Sequence, residues 1–247
     1  MRSGGKAEPE PCLVWLREEP CSRSPGHSRA QIVAVAVELA DKEGFEAVSM
    51  RRVAQELGAG TMTLYHYVAN KDELVTLMVD AVMGEILIPA AELPSAWRPA
   101  MAAIAKHSLD ALRNHRWMLD RLGDDRPGPN GMRHFEQSLE AMSGAGISAR
   151  ATFEAIVLVD EYVFGFAIRE AQEPAEHERG WAPGVREFFR RELDSGEFPR
   201  VTEFLGNDVD TAMERVGEVF FEAGRFERGL ERLLDGIEAG LEPGGSS

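Results

Sequence analysis

Residues 49–74 read SMRRVAQELGAGTMTLYHYVANKDEL, and this stretch carries two short helices joined by a glycine turn. Ser49 is a side-chain cap for the first helix. Val53, Ala54 and Leu57 follow at spacings of one and three, which places them on one apolar stripe. Gly58-Ala59-Gly60 interrupts the stripe with small residues that tolerate positive φ and let two helices approach closely. A second helix opens at Thr61 or Met62, with Leu64 and Val68 turned inward. Asn70 then caps a further helix, and Asp72 and Glu73 favour the positive end of its dipole. A short helix, a glycine-containing turn and a second helix make a helix-turn-helix over residues 50–67. Its second helix is expected to present Thr61, Thr63, Tyr65, His66 and Tyr67 outward. Hydroxyls and rings of this kind bond to phosphates and pack on thymine methyl groups. Arg51, at the start of the first helix, can reach a guanine edge or a phosphate, and Arg52 is expected to join the DNA-binding set. Lys71 opens the helix after Asn70, where free backbone amides also attract a phosphate.

Outward from this core, the helical period extends in both directions. Upstream, Ile32, Val35, Ala36 and Leu39 make one face of a helix capped by Ser28 and closed by Gly44. Residues 1–27 are rich in Pro, Gly, Ser and Glu and are expected to be a disordered arm, with residues 14–17 as its one sticky element. Downstream, Leu74, Leu77, Met78, Ala81 and Val82 carry a helix towards Pro89. Further helices are expected from Ser95 to about His115, from Asn130 to Ser143, from Ala149 (capped by Ser148) to Gln172, and over about 185–195. A last one is expected from Asp208 to about Leu241. A segment around 117–122 and loops at 124–129 and 173–184 separate them. Nothing alternates with period two, so the fold class is all-α, with no sheet. The domains expected are a helix-turn-helix head at 28–75, a larger helical ligand-binding and dimerisation body at 76–242, and a tail at 243–247.

Composition fits a protein that touches DNA with its head alone. The 247 residues carry a net charge of −15, unfavourable for a partner that demands cations at its phosphates. Yet residues 1–71 are balanced, and the whole excess of acid lies beyond residue 71. No apolar run approaches the roughly 20 residues of a membrane helix, and no signal peptide is legible, so a cytoplasmic protein without membrane contact is expected. Cys12 and Cys21 read as incidental thiols of the arm. The six histidines, at 27, 66, 107, 115, 134 and 177, show no metal-ligand spacing, and there is no phosphate loop or nucleophile elbow. No enzyme activity, cofactor or metal site is expected.

Three blocks resemble the DNA-binding domain of the tetracycline-repressor (TetR) family: AVELADKEGF at 36–45, SMRRVAQELG at 49–58 and TLYHYVANKDEL at 63–74. The resemblance implies that Arg51 contacts bases, that Thr61 and Thr63 stand at the exposed start of the recognition helix, and that Tyr65 and Lys71 hold phosphates. Thr61 stands where the tetracycline repressor has glutamine, which implies a different operator. The resemblance also implies a homodimer built on the last two long helices. The terminal apolar seam agrees with that, and Val216, Phe220, Leu230 and Leu234 are its expected interface residues.

The middle helices are the expected site of a small-molecule effector. Met101, Ile104 and His107 recur at threes. Phe153, Val157, Asp160, Glu161 and Phe164 crowd one face of the 149–172 helix, and Trp117, Phe135 and Met142 could close a cavity. Asp160 is the most informative of these, because a buried carboxylate needs a partner. The 95–172 layout is similar to that of the tetracycline repressor, but Leu122 stands where that repressor has its magnesium-binding histidine, although Glu170 matches an acidic position nearby. A hydrophobic or aromatic effector is therefore expected rather than a magnesium chelate. The whole reads as a dimeric repressor of a palindromic operator, released by its ligand; an activator, or an effector-independent DNA-binding protein, would carry the same head.

Overall fold

The computed structural model describes residues 14–17, 27–121, 128–172 and 182–240. Cys12, Cys21, Leu122, Leu241 and most of the expected loops at 124–129 and 173–184 lie outside them. Every regular element among the described residues is helical. Helix α1 spans Arg29–Glu43. Ser28 caps it by accepting from the Gln31 amide at 3.2 Å, while the Gln31 side chain accepts from the Ser28 amide at 3.0 Å, so two otherwise orphaned donors are satisfied together. A short 3-10 turn, Phe45–Ala47, leads to α2 at Met50–Glu56 and α3 at Thr61–Tyr67. Ser49 accepts from the Arg52 amide at 3.2 Å. Gly58 takes a φ of +65° in the turn, a conformation that costs other residues dearly.

Helix α4, Lys71–Ile86, runs out of the head; Asn70 caps it through the Glu73 amide at 2.8 Å. Helix α5 is Trp97–Asn114, followed by a 3-10 segment, Arg116–Arg121. Helix α6 is Pro129–Met142 and α7 is Ala149–Ala171. Helix α4 packs against α1, α5 and α6, so one rod touches both the first helix of the head and the helices beyond it.

The remaining helices are α8 at Pro183–Ser195, α9 at Pro199–Leu205, α10 at Val209–Phe221 and α11 at Arg225–Ala239. Three expectations are corrected. Helix α5 starts at Trp97 behind the N-cap Ala96 rather than at Ser95. Asn130 lies inside α6, where Pro129 takes the first turn; a missing N–H costs nothing there. The single helix expected over 208–241 is two. It breaks at Gly224, whose φ is +75°, and Arg228 closes the break by donating to the Ala223 carbonyl at 2.8 Å and pairing with Glu222 at 2.7 Å.

The described residues fall into two compact units, one ending at Ala167 and the other beginning at Ile168. In the first, Ile32, Ala36, Val48, Val53, Leu64, Val68, Leu74 and Met78 form the buried centre around the head. In the second, Leu193, Leu205, Val209 and Ala212 make a small core, with Phe189, Met213 and Val216 packed on it.

Residues 14–17, the sticky element of the arm, dock on the head. Val14 is buried in a 3-10 turn. Arg17 pairs with Glu73 and donates to the Tyr67 carbonyl at 3.1 Å. The end of α3 has carbonyls without partners inside the helix, and the arm supplies donors to one of them.

Candidate functional site

The recognition helix has only seven residues, so one buried face and one free face divide it sharply. Leu64 is fully buried. Thr63, Tyr65 and His66 are exposed and Thr61 is half-exposed. Tyr67 corrects the expectation: it is buried, because it lies three residues after Leu64 and shares its face. Its ring meets His66 edge-on at 5.7 Å, and its carbonyl takes a second bond from Arg29 at 3.0 Å. Met62, at 80% exposure, belongs to the free face and was not expected there.

The two arginines of α2 differ. Arg51 is exposed. Arg52 is turned back, ion-paired with Glu43 at 2.8 Å and Glu56 at 2.9 Å, which corrects its place among the free DNA-binding groups. Lys71 lies 4.8 Å above the ring of Phe45. This cation–π contact leans the side chain along the base of the head.

Behind the head, α4, α6 and α7 line a half-open cavity of about 580 Å³. Its lining includes Phe135, Phe153, Asp160 and Phe164, four of the residues expected there. Phe135 and Phe153 meet edge-to-face at 5.9 Å and 86°. Seven expected residues are placed elsewhere. Met101, Ile104 and Met142 are core residues, and Trp117 is buried with its indole donating to Asp41 at 2.9 Å. His107 and Glu161 are exposed and Val157 is half-buried outside the lining. An apolar residue reads the same whether it faces a core or a cavity, which is why the two could not be told apart.

The missed lining residues include Thr76, Val79, Asp80 and Met83 of α4 and His134, Ser138 and Ile156. The α4 set recurs at three, one and three, so a second helical face beside the core face was the available signal. His134 is buried with its Nδ1 unpartnered, and burial lowers its pKa, which keeps the ring neutral. Burial raises the Asp160 carboxyl to about 6.

Asp80 is buried where Asp160 is half-buried, and it is engaged. It accepts from the Asn130 amide at 2.8 Å and the Gly131 amide at 3.2 Å, while Asn130 Nδ2 donates to the Asp80 carbonyl at 2.9 Å. Burial raises its pKa and those two amides oppose the rise. A Cβ on Gly128 would stand 2.2 Å from Asp80 Oδ1, so glycine is what admits this cap. Asp80→Ala should cost about 1–2 kcal/mol, as loss of a helix cap does. Asp80→Asn, which keeps an acceptor, should cost less. Urea denaturation checks the order; equal stability of Asp80→Ala and wild type would refute the capping role.

Residues 32–78 match the family model for bacterial regulatory proteins of the tetR family, and residues 89–241 match the tetracyclin repressor-like C-terminal domain. The chain belongs to the TetR family. Its members are DNA-binding transcriptional regulators rather than enzymes. The chain is 36% identical over 233 residues to the HTH-type transcriptional repressor DrrR1 of Streptomyces coeruleorubidus, covering 92% of this chain and 83% of that one. It is 34% identical over 246 residues to an HTH-type transcriptional regulator of Saccharopolyspora erythraea, covering 96% of each. Among solved structures, the TetR-family protein ActR of Streptomyces coelicolor, in complex with actinorhodin, matches with a TM-score of 0.67 at 28% identity, over 88% of this chain and 98% of that one. No helix among the described residues is long and apolar enough to cross a membrane.

Proposed function

We propose that this TetR-family regulator is a ligand-responsive repressor that binds a palindromic operator as a homodimer and is released when a small aromatic effector enters the cavity. One observation carries the reading. Helix α4 begins with Lys71 beside the recognition helix and, one to three turns later, puts Thr76, Val79, Asp80 and Met83 into the cavity wall. A ligand that fills the cavity pushes on the rod that holds the head. It releases DNA only by as much as it prefers the shifted state. The capture of actinorhodin by ActR supports an effector of aromatic type.

Two heads on two half-sites multiply a modest single-head affinity. Residues 28–71 carry as many acids as bases, so affinity rests on a few placed groups and on the pairing. For the pairing, α8 to α10 leave Phe188, Phe204 and Val219 exposed, surface that a second subunit would cover. Leu230 and Leu234 are already buried within one chain, so the interface proposed here draws on Val216 and Phe220 together with that exposed set.

For the head, Arg51→Ala should cost about 1–3 kcal/mol and relax base preference at one operator position. Tyr65→Ala and Lys71→Ala should weaken all duplexes alike. Gel shifts on specific and random duplex at fixed salt separate the two classes. Wild-type affinity and selectivity in all three variants would overturn the groove assignment. Footprinting during ligand titration tests the switch: operator protection unmoved by a compound that occupies the cavity would overturn it.

A further inference from the structure

The cavity has a charge pattern that its apolar walls conceal. Its lining holds two carboxylates, Asp80 and Asp160, and neither lysine nor arginine. Asp80 is spent on the two amides at the start of α6. Asp160 is not spent on anything among the described residues: no side chain or amide there reaches its carboxylate, and burial is the one influence on its proton affinity. Along α7 it is flanked at one turn on either side by Ile156, which is buried, and Phe164, both lining the cavity. No donor competes for Asp160 before a ligand arrives. An ionised carboxylate in such surroundings is costly unless a partner compensates it.

The second polar handle is the His134 imidazole. It is 92% buried by its 8% exposure, lines the same cavity, and has an unpartnered Nδ1. A buried polar atom without a partner in a native fold calls for an explanation, and a ligand group supplies one if the ring turns towards it. The same lining carries an aromatic pair, Phe135 and Phe153 edge-to-face, suited to the face of a flat ring system.

We propose that the cavity selects a cationic aromatic effector, a flat ring system that brings a protonated amine to Asp160 and a hydroxyl or carbonyl to His134. The proposal rests on the reading of this cavity as the effector site. A charge-assisted bond from an ammonium group to a carboxylate is about twice as strong as a neutral one. An anionic ligand meets two carboxylates with no lining cation to offset them, so the same arrangement rejects aromatic acids.

The test uses the full-length protein and two probes of three fused rings: 9-aminoacridine, a cation at pH 7.5, and anthracene-9-carboxylate, an anion. Isothermal titration is run on wild type, Asp160→Asn, Asp160→Glu and the cavity-filling Val79→Trp, each verified as folded by thermal melting. Wild type is expected to bind the amine at least about tenfold more tightly than the acid. Asp160→Asn should lose at least about tenfold for the amine and nothing for the acid, Asp160→Glu should retain the preference for the amine, and Val79→Trp should bind neither. If Asp160→Asn binds the amine as wild type does while Val79→Trp does not, the cavity reading stands and the cation inference falls. If Val79→Trp and Asp160→Asn both bind the amine as wild type does, the probe sits elsewhere and both fall. Failure of wild type to bind the amine also overturns the inference.

Discussion

Leu64→Ala should destabilise the protein by about 2–5 kcal/mol, the range for emptying a fully buried leucine site, and should abolish operator binding at physiological temperature. Leu64 is fully enclosed on the inner face of α3, and the seven-residue helix has little else to hold it. Tyr67, the other buried residue of that helix, is pinned by carbonyl bonds from Arg17 and Arg29 as well as by packing. An isolated helix this short is not stable in water, so its orientation rests on these two anchors and on the turn at Gly58. Thr63→Ala is the control. Thr63 is exposed, so its loss should leave stability within about 0.5 kcal/mol of wild type. Urea denaturation read beside a gel shift checks both. A cost below about 1 kcal/mol for Leu64→Ala would mean that α3 is not held by its inner face.

The caps show why the head was readable from the chain. Ser28, Ser49, Asn70 and Asp208 each accept from an amide three residues on, and a cap acts within one turn of sequence. What acts over longer distances was not readable. Arg52 is drawn back partly by Glu43, nine residues away on another helix. Nothing local to residues 14–17 says that Arg17 meets Tyr67 and Glu73, some fifty residues on. Tyr67 was readable in principle, because a residue three after Leu64 shares its side of the helix, but the aromatic-rich stretch drew every ring outward. Asp160 stood out because a charge among phenylalanines contrasts with its neighbours. Met101 and Ile104 offered no such contrast, since core and cavity wall share one composition. The break at Gly224 was hidden because an apolar seam continues on both sides of it, with Phe220 before and Phe226 after.

His115→Ala should cost about 2–3 kcal/mol, and the loss should shrink as pH rises. His115 follows α5 and is buried, with Nδ1 2.9 Å from Asp41 Oδ1 and Nε2 3.0 Å from Glu85 Oε2. Each ring nitrogen faces a carboxylate, an arrangement satisfied when both carry a proton. Burial works against that charge, but the hydrogen bonds to Glu85 and Asp41, with the attraction of both carboxylates, outweigh it and raise the pKa above the ordinary value. Removing one partner of a buried pair typically costs about 3–5 kcal/mol. The figure here is reduced because the Glu85 side chain is 56% exposed and water replaces part of what it loses. The sign of the pH effect follows from the direction of the shift. A base whose pKa is raised on folding contributes fully below its unfolded value of about 6.5. That contribution is lost as pH rises through the folded value. Wild type should therefore lose stability relative to His115→Ala as pH rises from about 6.5 upwards, and parallel urea curves for the two proteins over that rise would refute the doubly bonded imidazolium. In the proposed switch the network also has a place. Asp41 belongs to α1 of the head, Glu85 to the far end of α4, and Trp117, which shares Asp41 at 2.9 Å, to the segment after α5. A charged His115 holds α1 to the same rod that lines the cavity, so His115→Ala should also reduce the amount by which an effector lowers operator affinity. An unchanged effector response in a folded His115→Ala protein would separate this junction from the switch and leave α4 alone as the link.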